Sequence, residues 1–416
     1  MSDTLRLLPS ALLALGFAAL TVFSPMAAPN PPAASFGADL AFLKQHTNVI
    51  TLADEVGRAQ VVVAPAWQGR VMTSTAGGSD GPSFGWINRE LIGAGKLQPH
   101  MNAFGGEDRL WLGPEGGQFS IFFSKGVRFD LEHWFTPPPI DTDAYQVVRQ
   151  SRDSAQFRHA FQLANYSGTA FSVQADREVR LLPPAAAWKH LRINPLPGVT
   201  MVAYESVNRI TNTGQKAWVT DTGLLSIWIL CMFTPSPATT IVVPFKPGPD
   251  AELGRPVNSA YFGAVPPERL VVKDRVAFFS GDGKYRSKIG IGPKRALPIL
   301  GSYDAASNVL TLAQFTQPAQ PAPYVNSMWE IQKDPYAGDV VNSYNDGPPS
   351  PGAKPLGPFY EIESSSPAAA LAPAASLEHV HRTLHLTGSR EALDAIARAT
   401  LGVGLAEIAS ALPKAK

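Results

Sequence analysis

The sequence predicts an all-β protein built as a large antiparallel sandwich. Three observations carry this reading. The 416 residues include 38 Pro and 35 Gly, a density that leaves little room for long helices and suits many turns. Between these breaks lie short runs of β-branched and aromatic residues, many alternating apolar with polar, which is the period of a half-buried strand. Hydrophobic residues make up 45% of the chain and charged residues 17%, so a sizeable core is available and disorder is disfavoured.

The chain opens with a segment that reads as targeting rather than fold. Arg6 supplies a short basic region, residues 7–23 an apolar one, and Met26, Ala27 and Ala28 small residues for cleavage. Residues 1–28 are therefore expected to be a signal peptide or an uncleaved N-terminal anchor. The destination is periplasmic or secreted, with an inner-membrane tether if the segment stays on. Pro29, Pro31 and Pro32 make residues 29–35 an extended linker. No Cys follows the apolar run, which excludes a lipoprotein anchor, and no later segment is apolar for long enough to span a bilayer. Residues 36–386 form one sandwich domain and residues 387–416 a helical tail.

Within the domain, residues 38–46 read as one or two helical turns. Strands are expected at 60–64, 118–123, 157–163, 170–173, 178–182 and 201–207. Further strands fall at 224–233, 240–244, 270–279, 309–313, 324–331, 359–363 and 379–386. In the second group of turns, Thr211-Asn212-Thr213-Gly214 and Asp282-Gly283 separate neighbouring runs. Phe157, His159 and Phe161 share one face of their strand. In the tail, Ser389 is placed to cap a helix whose Ala392, Ile396, Ala397 and Leu401 lie near helical spacing.

Several function classes are excluded. The net charge of +1 offers no electrostatic footprint for nucleic acid. There is no phosphate-binding Walker loop, no dinucleotide fingerprint after a strand and no H-E-x-x-H, and the G-x-S-x-G spacing at Gly77–Gly81 runs into Pro82 and not into a helical pattern, so it makes no nucleophile elbow. Nucleotide binding and serine-hydrolase chemistry are thus unsupported, and no cofactor is implied. The single Cys, Cys231, sits in the apolar run LLSIWILCMF, so neither an internal disulfide nor a multi-Cys metal motif exists; it reads as a buried thiol.

Four clusters carry chemistry. The first spans residues 100–123, where His100, Asn102, Glu107, Arg109 and Glu115 lie among two Gly-Gly pairs, Phe104 and Trp111. Either it is two tight turns bearing a solvated salt bridge, or it is a binding rim. The second holds Glu361 and Glu363, which share a strand face, so that mutual repulsion should raise one carboxyl toward a usable acid or base. His379 and His381, also two apart, are the only metal-ligand candidates, and an ordinary polar face is the better reading of them. The third is Val341–Pro348 with Trp329 and Glu330 before it; Asn345-Asp346-Gly347 is a turn signature, and Tyr344, Asn345 and Asp346 would also offer an aromatic face and hydrogen-bonding groups to a sugar. The fourth places His133 between Glu132 and Trp134, with Arg70 and Trp86 adding a further aromatic and cationic patch near residues 69–89. Trp86, Trp111, Trp134 and Trp329 fall among polar residues, where an indole can stack on the C–H face of a sugar.

The stretches GRVMTSTAGG, GGEDRLWLGPEGGQFS, VNSYNDGPP and FYEIESSSPAAAL resemble a family of exported bacterial proteins built on a domain of unknown function, over about Phe36 to Leu386. More distantly the chain is similar to the aldose 1-epimerase or galactose mutarotase-like superfamily. Three features carry that likeness: an early strand with Gly69-Arg70-Val71, a strand closing in Asn212-Thr213-Gly214, and a late Glu-bearing strand followed by Pro and a final strand ending at Leu386. The resemblance implies a galactose mutarotase-like β-supersandwich, with a general base on Glu361 or Glu363. It also implies a His acid, His100 first and His133 second, although the His-Pro-Tyr/Phe-Asn pattern around the acid is missing. The function expected is acid–base chemistry on a carbohydrate, epimerase-like or cleaving. Asn102, Glu107, Arg109, Trp111, Glu115, Arg70, Glu330, Tyr344, Asn345 and Asp346 are its candidate substrate contacts. A non-catalytic glycan-binding or scaffold protein of the periplasm is the alternative.

Overall fold

Local hairpins account for most of the architecture. The computed structural model describes residues 35–413, and among them every pairing between strands longer than a single bridge is antiparallel. The segments read as signal or anchor and as linker lie outside the described residues, apart from Ser35 at the linker's end. No described helix is long and apolar enough to cross a membrane.

Three sheets form. The smallest joins Ile50–Ala53, Gln60–Ala64 and Arg70–Thr75. A ten-stranded sheet runs from Leu270–Lys273 through Val276–Ser280, Thr239–Pro244, Ile299–Asp304 and Val309–Phe315 to Ser376–Thr387. It continues through Thr200–Asn212, Ala170–Leu181 and Ser154–Ala164 to Gln146–Gln150. A five-stranded sheet runs Ser287–Ile291, Val341–Asn345, Tyr360–Ser365, Ser226–Phe233, Arg109–Gly113. The all-β sandwich expected from the sequence is the fold observed.

The two large sheets face each other across the main core, with Leu110, Ile229 and Ile362 from one meeting Val202, Tyr204 and Ala313 from the other. On the opposite face of the ten-stranded sheet, Leu393, Ile396, Ala397 and Leu401 of the helix Arg390–Leu401 pack on Val242, Leu310 and Leu384. Ser389 caps that helix by accepting from the Ala392 N–H at 3.2 Å. The helix Phe36–His46 covers the small sheet through Phe36 and Leu43 against Val62, Ala64 and Met72.

Two expected strands are absent. Residues 118–123 and 324–331 are held by side chains instead of a ladder. The Gln118 side-chain amide clasps the Gln332 backbone, donating to its carbonyl and accepting from its N–H, both at 2.9 Å, and the Gln332 side-chain amide donates to the Asn326 and Met328 carbonyls at 2.9 and 2.8 Å. Phe122, Phe123 and Trp329 still pack inward, which explains why their periodicity looked like a strand. The runs 170–173 and 178–182 are one strand, Ala170–Leu181, alternating without a break.

The inter-sheet space is not wholly apolar. Asp108 accepts from Arg177 Nη2 at 2.7 Å and Ser206 Oγ at 2.8 Å, and Arg177 Nη1 donates to Asn208 at 2.6 Å. Glu107 beside it accepts from Ser74 Oγ at 2.8 Å and Tyr204 Oη at 3.0 Å, with His385 Nε2 at 3.1 Å. All these groups are buried, so the network ties the small sheet and both large sheets through satisfied polar contacts. His379 and His381 belong to the same layer. Ser364 Oγ bridges His379 Nε2 at 2.8 Å and His381 Nδ1 at 2.9 Å, and Cys231 Sγ reaches His381 Nε2 at 3.4 Å. Burial drives both imidazoles down, to about 3 and about 4, so they are neutral core residues whose nitrogens are engaged by hydroxyls and a thiol.

Candidate functional site

Alternation along the five-stranded sheet sends one set of side chains into the core and the other out to a cavity of about 450 Å³. The register decides which groups meet. Lys288, Tyr344, Glu361 and Met232 lie in one cross-strand row. Asn342, Glu363, Leu230 and Arg109 lie in the next, and Trp228 and Trp111 in a third. Charges then pair diagonally across the rows. Arg109 Nη2 donates to Glu361 Oε1, and Lys288 Nζ donates to Glu363 Oε2 at 2.9 Å. Trp228 Nε1 also donates to Glu363 Oε2, at 2.9 Å.

The two glutamates therefore differ. Glu361 lines the cavity, whereas Glu363 lies beneath it, fully buried and not part of its lining. Burial pushes the Glu361 carboxyl up to about 7; Arg109 and Lys288 pull it down, while Glu363 and Asp346 add to the rise. A carboxyl in that range can give or take a proton at neutral pH. Burial alone would discharge Lys288, but Glu363 and Glu115 outweigh it and hold the ammonium above its ordinary value, so Lys288 is a fixed cation. Burial also raises Glu115, and it lifts Asp346 to about 6 against hydrogen bonds from the Gly357 N–H and the Tyr344 hydroxyl, both 2.9 Å.

The wall is aromatic and continuous. Trp111 meets Trp228 edge-on at 5.6 Å between centroids and Trp134 at 6.4 Å, and Trp134 stacks with Trp329 at 6.0 Å. All four indoles line the cavity. His100 joins from a loop that Asn102 closes: Asn102 Oδ1 accepts from the Gln98 N–H at 2.8 Å, and Asn102 Nδ2 donates to Asp141 at 2.8 Å. His100 Nδ1 lies 2.7 Å from the Trp134 carbonyl, so Nδ1 carries the proton and Nε2 is the nitrogen left for chemistry. The ring is held flat against Phe135, 4.3 Å away.

Of the residues singled out in the sequence, the cavity brings together His100, Arg109, Trp111 and Glu115 with Tyr344, Asp346 and Glu361. The others lie elsewhere, each for a physical reason. Glu363 and Glu107 are consumed by the buried bonds described above. Arg70 is also buried, donating to the Gly105 carbonyl at 3.1 Å and to Gln68 at 3.0 Å, and burial lowers it to about 9. Asn102 and Asn345 brace loops; Asn345 Oδ1 accepts from the Gly283 N–H at 2.8 Å. His133 turns to Asp130, 2.6 Å away, and does not line the cavity, although Glu132 and Trp134 on either side do. Glu330 is exposed and outside it. Trp86 packs on Phe359 behind the site. The glycine pairs serve close approach: Gly105 has φ +95°, and a Cβ there would overlap the Trp86 carbonyl oxygen.

Sequence reasoning missed Lys288, Arg286, Trp228 and Phe262. Lys288 was legible only as one cation in the short strand SKIGI, and Trp228 sat in the most apolar run of the chain. Their roles arise from sheet neighbours more than 50 residues away, such as Glu363.

Residues 34–412 match the model of a family of unknown function, DUF6786. No curated protein matches the chain. Among solved structures, a protein from Synechocystis sp. PCC 6803 is similar at 12% identity and a TM-score of 0.48, covering 82% of this chain and 96% of that one. A putative aldose 1-epimerase from Escherichia coli K12 is similar at 13% identity and 0.46, covering 82% and 99%. A galactose mutarotase-like protein from Lactobacillus casei is similar at 10% identity and 0.44, covering 82% and 100%.

Proposed function

The chain belongs to the DUF6786 family, and from the cavity we propose that it is a carbohydrate-active protein that performs acid–base chemistry on a sugar. The observation that carries this reading is Glu361: a buried carboxyl with a value raised to about 7, at the floor of a cavity walled by four indoles. Indole faces suit the C–H faces of a pyranose, and the cavity falls in the size range of small-molecule sites, about 300–1,000 Å³. In the proposed step Glu361 takes the proton of a sugar hydroxyl, and His100 enters as the imidazolium and gives its Nε2 proton to the ring or bridging oxygen, while its Nδ1–H stays on the Trp134 carbonyl. The negative charge that builds on the sugar faces Arg109 and Lys288. Export is part of the proposal and rests on the N-terminal segment; sequencing the N-terminus of the protein recovered from cell fractions tests it.

One observation favours binding without turnover. The Glu361 carboxylate is already engaged by Arg109, and a site that only holds sugars needs no free base. A panel of mono- and oligosaccharides, assayed for binding and for anomer exchange or cleavage with wild type and Glu361→Gln, separates the two. Binding with turnover that Glu361→Gln removes supports the enzyme. Binding with no turnover on any sugar supports the lectin-like reading.

A further inference from the structure

The cavity has one cation that the protein leaves unmatched. Arg109 pairs with Glu361, Lys288 with Glu363, and Lys354 with Glu90 at 3.0 Å. Among the described residues Arg286 has no acidic partner, and its guanidinium makes no hydrogen bond. It lies instead over the ring of Phe262, 3.8 Å from the centroid, and Phe262 stands edge-on to Tyr344 at 5.9 Å. We infer that the sugar this cavity takes is an acidic one, whose carboxylate docks on the Arg286 guanidinium. The inference rests on the sugar reading above and names its substrate class.

Three features support it. Stacking on Phe262 fixes the guanidinium plane and leaves its N–H edges free, and a planar fork of donors matches the two oxygens of a carboxylate. The donor is also pre-positioned. Asn345 accepts from the Gly283 N–H at 2.8 Å and donates to the Tyr285 carbonyl at 3.0 Å, and Gly347 packs so closely on residues 285 and 286 that a Cβ would collide with their backbone. Little ordering remains for binding to impose. Finally, Arg286 directly precedes the strand Ser287–Ile291, two residues before Lys288, and both line the cavity, at most roughly 7 Å apart along the chain. A carboxylate on Arg286 therefore sets the rest of a sugar ring toward the Lys288–Tyr344–Glu361 row. Glu115, Glu132, Asp346 and Glu361 are the acids that also line this space, and none bonds to Arg286; Glu361 is held by Arg109, and both oxygens of Asp346 are taken by Tyr344 and Gly357.

Matched pairs test this in the full chain: glucuronate against glucose, galacturonate against galactose, with glucose 6-phosphate as a third arm, titrated calorimetrically into wild type, Arg286→Gln and Arg286→Lys. A charge-assisted two-point contact predicts that at least one uronate binds about tenfold or more tighter than its neutral parent. Arg286→Gln should collapse that ratio toward one, and Arg286→Lys should recover part of it. Equal affinity of acid and neutral sugar, or a ratio unchanged in Arg286→Gln, overturns the inference and leaves the sugar reading standing. Tighter binding of the phosphate than of either uronate overturns the carboxylate assignment. Failure of every sugar to bind overturns the sugar reading with it.

Discussion

Removing either partner of the Lys288–Glu363 pair should unfold the protein more readily than any other change at this site. Lys288 is 7% exposed and Glu363 0%, and their charged atoms are 2.9 Å apart. In Glu363→Gln the ammonium of Lys288 loses its counter-charge in a place water scarcely reaches. In Lys288→Met the carboxylate is stranded with only Trp228 Nε1 to bond it. Breaking a buried pair in this way costs about 3–5 kcal/mol, because the survivor keeps its charge without the solvation that supported it in the unfolded chain. The double variant removes both charges and should cost clearly less than the sum, with a coupling of about 2 kcal/mol or more. Urea unfolding followed by Trp fluorescence gives all four free energies. Single-variant losses below about 1 kcal/mol, or strictly additive effects, would refute the reasoning, since losses that small are typical of solvated surface pairs.

Other outcomes follow from the same geometry. If Glu361 is the base, the rising limb of the pH–rate profile should fall at about 7; Arg109→Gln, which removes the charge that lowers Glu361, should move that limb upward by about one to three units. Because the folded values of Glu361 and Asp346 lie above the unfolded 4.5 and 3.8, their contribution to stability is fully present below those values and is lost as pH rises to about 7. Urea midpoints from pH 4 to 8 should fall less steeply in Asp346→Asn than in wild type. Gly105→Ala forces a side chain into φ +95° and against Trp86, and should lower stability by more than about 1 kcal/mol in the same assay. Cys231 is fully buried and its thiol is pushed well above its ordinary value, so a thiol reagent should label it at the rate of global unfolding and not before.

The sandwich was legible because alternation and turn chemistry are local. Ser389 and the spacing of Ile396 and Leu401 likewise placed the C-terminal helix within a residue of its true start. What alternation does not reveal is which face is core when the core itself is polar. His379 and His381 looked like an exposed polar face because they alternate with apolar residues, yet their partners Ser364 and Cys231 come from the opposing sheet. The same gap split the glutamate pair. One shared face was readable for Glu361 and Glu363; that Lys288 would take Glu363 and Arg109 would take Glu361 depended on register between strands far apart in sequence. Glycine pairs at 105–106 and 116–117 signalled close backbone approach, but not that Arg109 and Trp111 between them would face a cavity while Glu107 and Asp108 turned into the core.

The central claim is that the cavity above Glu361 holds a sugar. A crystal structure of the protein saturated with the tightest ligand from the saccharide panel tests it most directly. The account predicts the ring against Trp111 and Trp228, with a hydroxyl within hydrogen-bond distance of the Glu361 carboxylate. A sugar bound on any other surface, with this cavity holding only solvent at saturating ligand, would contradict it.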